Sequence, residues 1–266
     1  MISKETLVVK FGGHAMSDKD GAFAHKLSLA IAEGMRVVVV HGGGPQINTA
    51  LDAAGIKSNF VGGFRYTTPE IFEIVERVLS KEVGPAVENT LTKSGVLALS
   101  ISGRHSGTIF ARKQTSLVNG DHADLGLVGE VEKIDPEAID VLLAKGVTPV
   151  ISPIASDLYS DGGLNVNADI AAAAVAGALK AKELIIMTDV PGIYRNWPEK
   201  DSLISEITST ELENIKGSFA DGMAPKVQAC LDAISAGAIA VRIIDGTDPE
   251  AFADALAHQG GTLVTK

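Results

Sequence analysis

The sequence predicts an open α/β fold in which a largely parallel sheet carries helices on both faces. Three observations predict it. Hydrophobic residues make up 45% of the 266 residues but aromatics only 5%. Val, Ile, Leu and Ala must therefore supply the core, as they do in strands buried on both faces. Strand, glycine turn and helix follow one another twice near the start, which is the βαβ signature of parallel pairing. The second half of the chain then returns to the same alternation.

Residues 7–10 read as a short buried strand that runs into Gly12-Gly13. A helical pattern over 20–33 follows, and Gly34 is placed to end it. Residues 36–41, with four consecutive valines, form the clearest buried strand. It stops at Gly42-Gly43-Gly44, and Pro45 opens a helix where its missing N–H costs nothing. Residues 59–66, with Gly62-Gly63 inside, read as a small hairpin. Two helices follow, over 69–79 and 82–93, and a strand over 96–100. Residues 108–113 and 126–134 alternate as antiparallel ribbons. A helix over 136–144 leads to a strand over 147–151. In the second half, an alanine-rich helix over 168–179 precedes a buried strand at 183–187 and a loop at 191–198. Helices at 209–214 and 225–236, a strand at 240–244, a helix at 249–258 and a strand at 261–264 complete the chain. Twenty-eight glycines against ten prolines fit many tight turns between regular elements. No linker divides the chain, so residues 1–266 read as one domain.

With 33 acidic and 23 basic residues the formal net charge is -10. A general nucleic-acid surface needs a basic patch, so that class is set aside. A phosphate site in such a chain must be local, made by a few lysines and backbone amides. The single cysteine, Cys230, allows no disulfide framework within the chain. It sits in a helical pattern and reads as a small buried apolar residue. No Cys/His spacing suits a metal. Residues 1–6 are polar, and no run of about 18 apolar residues exists, so neither a signal peptide nor a membrane span is read. The expected compartment is the cytoplasm.

The glycine clusters carry the first functional signal. A glycine turn between a buried strand and a helix offers free N–H groups and the positive end of the helix dipole. Either cluster alone is equally well a tight turn. Neither is a G-x-G-x-x-G fingerprint or a G-x-x-x-x-G-K-[ST] loop. Lys10 ends the first strand just before Gly12. Lys226 opens a helix after Gly222 and Pro225, against the dipole, which favours a role for it beyond the surface. Asn165, Asn167 and Asp169 alternate along an extended stretch and would share one face. Capping of the alanine-rich helix by Asn167 or Asp169 explains one of the three.

Six stretches together carry a resemblance. They are Lys10-Phe11-Gly12-Gly13, His41-Gly42-Gly43-Gly44-Pro45-Gln46, Gly63-Phe64-Arg65-Tyr66-Thr67, Asn165-Val166-Asn167-Ala168-Asp169, Thr188-Asp189-Val190-Pro191-Gly192 and Asp221-Gly222-Met223-Ala224-Pro225-Lys226. In order and spacing the chain resembles the amino acid kinase superfamily and, within it, the N-acetylglutamate kinases. The stretch around Trp197-Pro198 is similar to the actinobacterial branch. The resemblance implies a largely parallel sheet of about eight strands sandwiched by helices. It implies an acceptor-binding lobe over 1–180 and a nucleotide-binding lobe over 181–266. It also implies ATP-dependent phosphorylation of the side-chain carboxylate of N-acetyl-L-glutamate to the acyl phosphate, a step of arginine biosynthesis, with ATP and Mg²⁺ and with no protein-held metal.

Residue by residue, the resemblance implies that Lys10 and Lys226 stabilise the transferring phosphoryl group and that Asp169 orients both. Gly12 and Gly13 would offer amides to phosphate, and Gly43 and Gly44 to the acceptor. Arg65 and Asn165 would hold the amino-acid end of the acceptor. Thr188, Asp189, Gly192, Ile193, Gly222 and Met223 would line the nucleotide site. The chemistry agrees with these roles. A side-chain carboxylate with a pKa near ~4.3 is already an ionised nucleophile at neutral pH, so no general base is required. What remains is in-line positioning and cancellation of charge.

Tyr66 departs from the smaller aliphatic residue usual beside the family's arginine, Arg104-His105 stands where acidic residues are common, and Ala224 is small. Few residues precede the first strand, so a homodimer without the ring-forming N-terminal helix is expected, with weak or absent arginine inhibition. His41 reads as a packing residue at a strand end, and Trp197 as a loop anchor. Two rival readings stay open here. One is a kinase acting on aminoadipate or glutamate borne on a carrier protein, with Arg104, His105, Arg112 and Lys113 as a basic rim. The other is a kinase-like metabolite sensor without turnover. A signalling-protein partner is not legible.

Overall fold

The computed structural model describes residues 5–12, 21–117, 119–219 and 223–266. Its centre is an eight-stranded sheet. The strands are β1 (Thr6–Phe11), β2 (Arg36–His41), β5 (Ala98–Ser102), β8 (Thr148–Ser152), β11 (Glu183–Thr188), β12 (Glu206–Thr208), β13 (Ala240–Asp245) and β14 (Thr262–Thr265). Their order across the sheet is β12-β14-β13-β11-β1-β2-β8-β5. Every neighbouring pair is parallel except β13 with β14. A largely parallel sheet between helices is therefore what the chain forms.

The four consecutive valines now have a physical reason. Val37 and Val39 face one apolar core and Val38 and Val40 the other. A strand covered on both sides needs an apolar residue at every position, and each buried Val is worth about 1.5–3 kcal/mol. On one face pack α1 (Ala22–Ala32), α4 (Gly84–Lys93) and α9 (Ala251–Leu256). On the other pack α5 (Glu137–Ala144), α6 (Ala168–Ala178) and α8 (Ala224–Ala236). Among the described residues no helix is long and apolar enough to cross a membrane.

Three details differ from the sequence expectation. The two helices expected over 69–93 are one continuous helical run: α3 (Pro69–Arg77), a π-helical turn (Val78–Val83) and α4. Pro85 has no N–H for the carbonyl four residues back, and a turn widened by one residue absorbs that loss without a break. The Gly84 N–H accordingly reaches back to the Leu79 carbonyl. Residues 154–166, to which the sequence reading assigned no strand, contribute β9 (Ile154–Asp157) and β10 (Gly163–Val166), joined by a turn. With β6 (Ile109–Lys113) and β7 (Val128–Ile134) they close a four-stranded barrel. The three residues of β12 also escaped the sequence reading, since so short an edge strand shows no periodicity.

α6 and α8 run in close contact. A Cβ added at Gly177 of α6 would lie 2.3 Å from the Cβ of Ala236 on α8. Only glycine admits this approach. The close packing of the two helices accompanies the meeting of their first turns, which carry Asp169 and Lys226.

Candidate active site

The sheet order reverses at β1. From there the chain goes to β2 on one side, and β11 lies on the other. In an open α/β sheet the crevice beyond the carboxyl ends of such strands is the natural ligand site. Lys10 is near the end of β1, and its Nζ donates to the Met187 carbonyl of β11 at 3.4 Å. Asp169 lies in the first turn of α6. Asn167 fixes that turn by accepting from the amides of Asp169 (2.8 Å) and Ile170 (3.4 Å).

Lys10 Nζ lies 2.9 Å from Asp169 Oδ1, and Lys226 Nζ lies 2.9 Å from Oδ2. All three residues are largely buried. Burial alone would raise the Asp169 pKa, but the two ammonium charges outweigh it and hold the carboxyl well below the usual carboxylate range. Burial likewise opposes the charge on Lys226, yet Asp169, with a smaller contribution from Asp189, raises its pKa overall. The result is two cations held side by side with one positive charge left over, a fixed field for a polyanion.

A cleft of about 260 Å³ opens on one side of this trio. Gly42, Gly43 and Gly44 form its floor at the start of α2 (Gly44–Ala53), whose N-terminus has no side-chain cap. Among the described residues the Gly43 and Gly44 amides have no acceptor. The Gly42 N–H is tied to the Phe11 carbonyl at 2.8 Å, which sets Gly42 against Gly12. A Cβ at Gly12 would meet Lys10 Cε at 3.1 Å, and one at Gly43 would meet Leu79 Cδ2 at 2.6 Å. A larger residue would crowd the Lys10 side chain in the first case and force Leu79 to shift in the second. Gly13 lies outside the described residues.

Arg65 enters the same cleft from β4 (Phe64–Arg65). It is 8% exposed. One guanidinium nitrogen donates to Asn48 Oδ1 at 2.7 Å and another to Ser58 Oγ at 2.5 Å, and the group lies over the Phe60 ring, 4.7 Å from its centroid. Among the described residues no carboxylate pairs with it. Burial lowers its pKa, but an arginine stays charged. A buried guanidinium on neutral partners is an incomplete site that an incoming carboxylate completes. Asn165 of β10 joins this wall: its Nδ2 donates to Thr67 Oγ1 (3.1 Å), which donates to the Arg65 carbonyl (2.7 Å). Tyr66 does not line the cleft. The sequence reading missed Asn48, Ser58 and Phe60, which reach Arg65 only through tertiary contact.

On the other side of the trio a second cleft, of about 600 Å³, is lined by Thr188, Asp189, Met223 and Lys226 among others. Gly192 and Ile193, expected near the nucleotide, lie just outside the lining of this cleft. Ile193 is fully buried in the core, its N–H donates to Thr262 Oγ1 at 2.8 Å, and neither residue lines the cleft. An apolar side chain in a loop is drawn to the core when that core lies directly beneath it. Gly222 lies outside the described residues. Tyr194, Trp197 and Phe219 line this cleft without having been read as site residues.

The model of the amino acid kinase family matches residues 5–245. The chain belongs to the amino acid kinase family. It is 46% identical over 248 residues to an acetylglutamate kinase of Kineococcus radiotolerans, covering 90% of this chain and 83% of that one. Solved structures agree on the fold. An N-acetylglutamate synthase from Neisseria gonorrhoeae, complexed with coenzyme A and N-acetyl-glutamate, superposes with a TM-score of 0.83 at 23% identity, over 98% of this chain and 59% of that one. A carbamate kinase from Giardia lamblia bound to AMP-PNP superposes with a TM-score of 0.72 at 19% identity over the whole of both chains.

In this amino acid kinase the residues suit a magnesium ion carried on nucleotide phosphates. Mg²⁺ is commonly held by one or two carboxylates plus phosphate oxygens. Both oxygens of Asp169 are engaged by lysines, whereas Asp189 stands exposed on the second cleft. Among the described residues no group of three or more His, Cys, Asp or Glu side chains is placed to hold a metal alone.

Both arginines of the expected basic rim are paired with the chain's own carboxylates. Arg104 pairs with Glu76 at 3.0 Å, and Arg112 pairs with Glu130 and Glu132 at 2.9 Å each. That pairing weakens the positive field offered to an acidic carrier protein.

His41, at the end of β2, is fully buried. Its Nδ1 lies 2.8 Å from the Gly42 carbonyl, and its Nε2 has no partner among the described residues. Burial pushes its pKa down from 6.5 to about 4, against the smaller opposing effect of the Gly42 hydrogen bond. The unfolded chain therefore binds a proton first as the pH falls below 6.5, and stability drains until about pH 4, where the folded form protonates too. The loss expected from this residue is about 3 kcal/mol. His41→Asn keeps a donor for Gly42 and does not titrate. Urea unfolding across this pH window should give a flatter curve for the variant, and parallel curves would refute the assignment.

Proposed function

We propose that this kinase transfers the γ-phosphoryl group of ATP to the side-chain carboxylate of N-acetyl-L-glutamate. One observation carries the reading: two ammonium groups share a buried aspartate where two clefts meet, one ending in an unpaired guanidinium. The 46% identity to an acetylglutamate kinase over most of both chains supports the acceptor. The described lining of the first cleft comes from residues 10–169 and that of the second from 188–226. That division supports an acceptor lobe over 1–180 and a nucleotide lobe over 181–266.

In this mechanism Arg65 and Asn165 hold the amino-acid end of the acceptor, and Gly43 and Gly44 direct amides at its oxygens. A carboxylate oxygen attacks Pγ, the Pγ–O bond to the β-phosphate breaks, and ADP leaves with that electron pair. Lys10 reaches the transferring group from the acceptor side and Lys226 from the nucleotide side, so charge is met wherever it accumulates. Asp169 prevents the two lysines from repelling each other. Thr188, Asp189 and Met223 border the nucleotide. Mg²⁺, brought by ATP, supplies further charge neutralisation on its phosphates. The enzyme would act as a cytoplasmic homodimer in arginine biosynthesis, with weak or no arginine inhibition.

An ATP-dependent hydroxamate assay tests this, because hydroxylamine captures the acyl phosphate and releases phosphate. N-acetylglutamate should react far faster than N-acetylaminoadipate, glutamate or aspartate. A hydroxamate from none of them, or a preference for another, would overturn the proposal. Arg65→Ala should raise the acceptor KM by roughly 10- to 100-fold, the worth of a charge-assisted hydrogen bond, with kcat little changed. Arg65→Lys should not restore it, since an ammonium lacks the two-pronged grip. An unchanged KM in Arg65→Ala would remove Arg65 from the site.

A further inference from the structure

Trp197 is the only tryptophan in the chain and is 67% exposed. It packs edge-on against Tyr194, with ring centroids 5.2 Å apart and planes at 72°. With Phe219 these rings form the aromatic part of the second cleft, whose polar part is Thr188, Asp189 and Lys226. An aromatic surface this large left open to water marks a binding surface.

The cleft's two kinds of lining match the two halves of a nucleotide. Lys226 serves the phosphates, so a base carried on the same molecule is left for the rings. We propose that Trp197, supported by Tyr194, is the stacking platform for the nucleotide base. This inference rests on the reading of the cleft as the nucleotide site. It assigns a binding role to a residue that sequence reasoning treats as a loop anchor. Every base presents a flat π-face, and stacking on an aromatic ring needs no hydrogen-bond match.

Intrinsic fluorescence reports directly, because one tryptophan gives the whole tryptophan signal. Titration with ADP should quench it saturably. Trp197→Ala should raise the KM for ATP roughly tenfold, as loss of one stacked base does. Its kcat at saturating ATP and its acceptor KM should hold. Trp197→Phe, which keeps a flat ring, should stay within about threefold of the wild type. Inorganic triphosphate has no base, so its inhibition constant against ATP should be the same in wild type and Trp197→Ala. An unchanged ATP KM in Trp197→Ala would overturn the platform and leave the kinase reading standing. So would an equal weakening of ATP and triphosphate, since the loop would then act on phosphates. Absence of ATP turnover in the wild type would overturn both.

Discussion

Replacing Lys226 or Lys10 by alanine should lower kcat on the order of 100- to 1,000-fold, with much smaller changes in either KM. Removal of one preorganised donor from a site of developing charge has this cost in the oxyanion holes of acyl-transfer enzymes. The geometry says why kcat should carry the loss. Both ammonium groups are held by Asp169 before any ligand arrives, at 2.9 Å each. They need no reorganisation as charge spreads over the transferring oxygens, so their contribution peaks at the transition state. On the proposed reading the acceptor's amino-acid end is held elsewhere, at Arg65 and Asn165, so ground-state binding should survive. Steady-state kinetics on both variants, with circular dichroism to show that each is folded, decides the matter. Full turnover in either variant would remove that lysine from the mechanism.

Much of this site was legible because its parts obey local rules. A strand buried on both faces must be apolar throughout, so residues 36–41 announced themselves. A glycine cluster at its end marks a place where backbone must approach something closely. Lys226 stood out because a cation at a helix N-terminus conflicts with the dipole. Other features were hidden because their causes are non-local. Strands β9 and β10 exist through pairing with β6 and β7, and the turn residues between them dominate the local pattern. Asn48 and Ser58 reach Arg65 from α2 and from the segment before the hairpin, contacts that no spacing encodes. Helix continuity across Pro85 broke a sound rule because a π-helical turn spared the backbone the usual clash. Ile193 shows a different limit: it occupies a motif position, yet its side chain lies in the core, which the motif alone does not tell.

Asp169 should prove the most costly position for stability and activity together. Asp169→Ala leaves Lys10 and Lys226 facing each other in a mostly dry setting. Breaking a buried pair from one side costs about 3–5 kcal/mol, and here one carboxylate serves two cations. Catalysis should fall as well, because the lysines then repel and leave the reacting centre. A compensated variant tests whether the stability cost comes from the unpaired charges. Lys10→Met and Lys226→Met added to Asp169→Ala remove every unpaired charge. That triple variant should regain most of the lost stability while remaining inactive. Failure to regain stability would show that the cost lies outside the charge triad. The acid limb gives an independent check. Asp169's folded pKa lies below its unfolded value, so its contribution is complete above the ordinary carboxylate range, near ~3.9, and drains as the pH falls from there to the depressed folded value. His41 acts earlier, between pH 6.5 and about 4. Unfolding curves for Asp169→Asn should therefore keep the His41 slope and lose the steeper decline below it. If both slopes vanish together, His41 and Asp169 do not titrate independently, and the acid limb cannot be assigned to Asp169 alone.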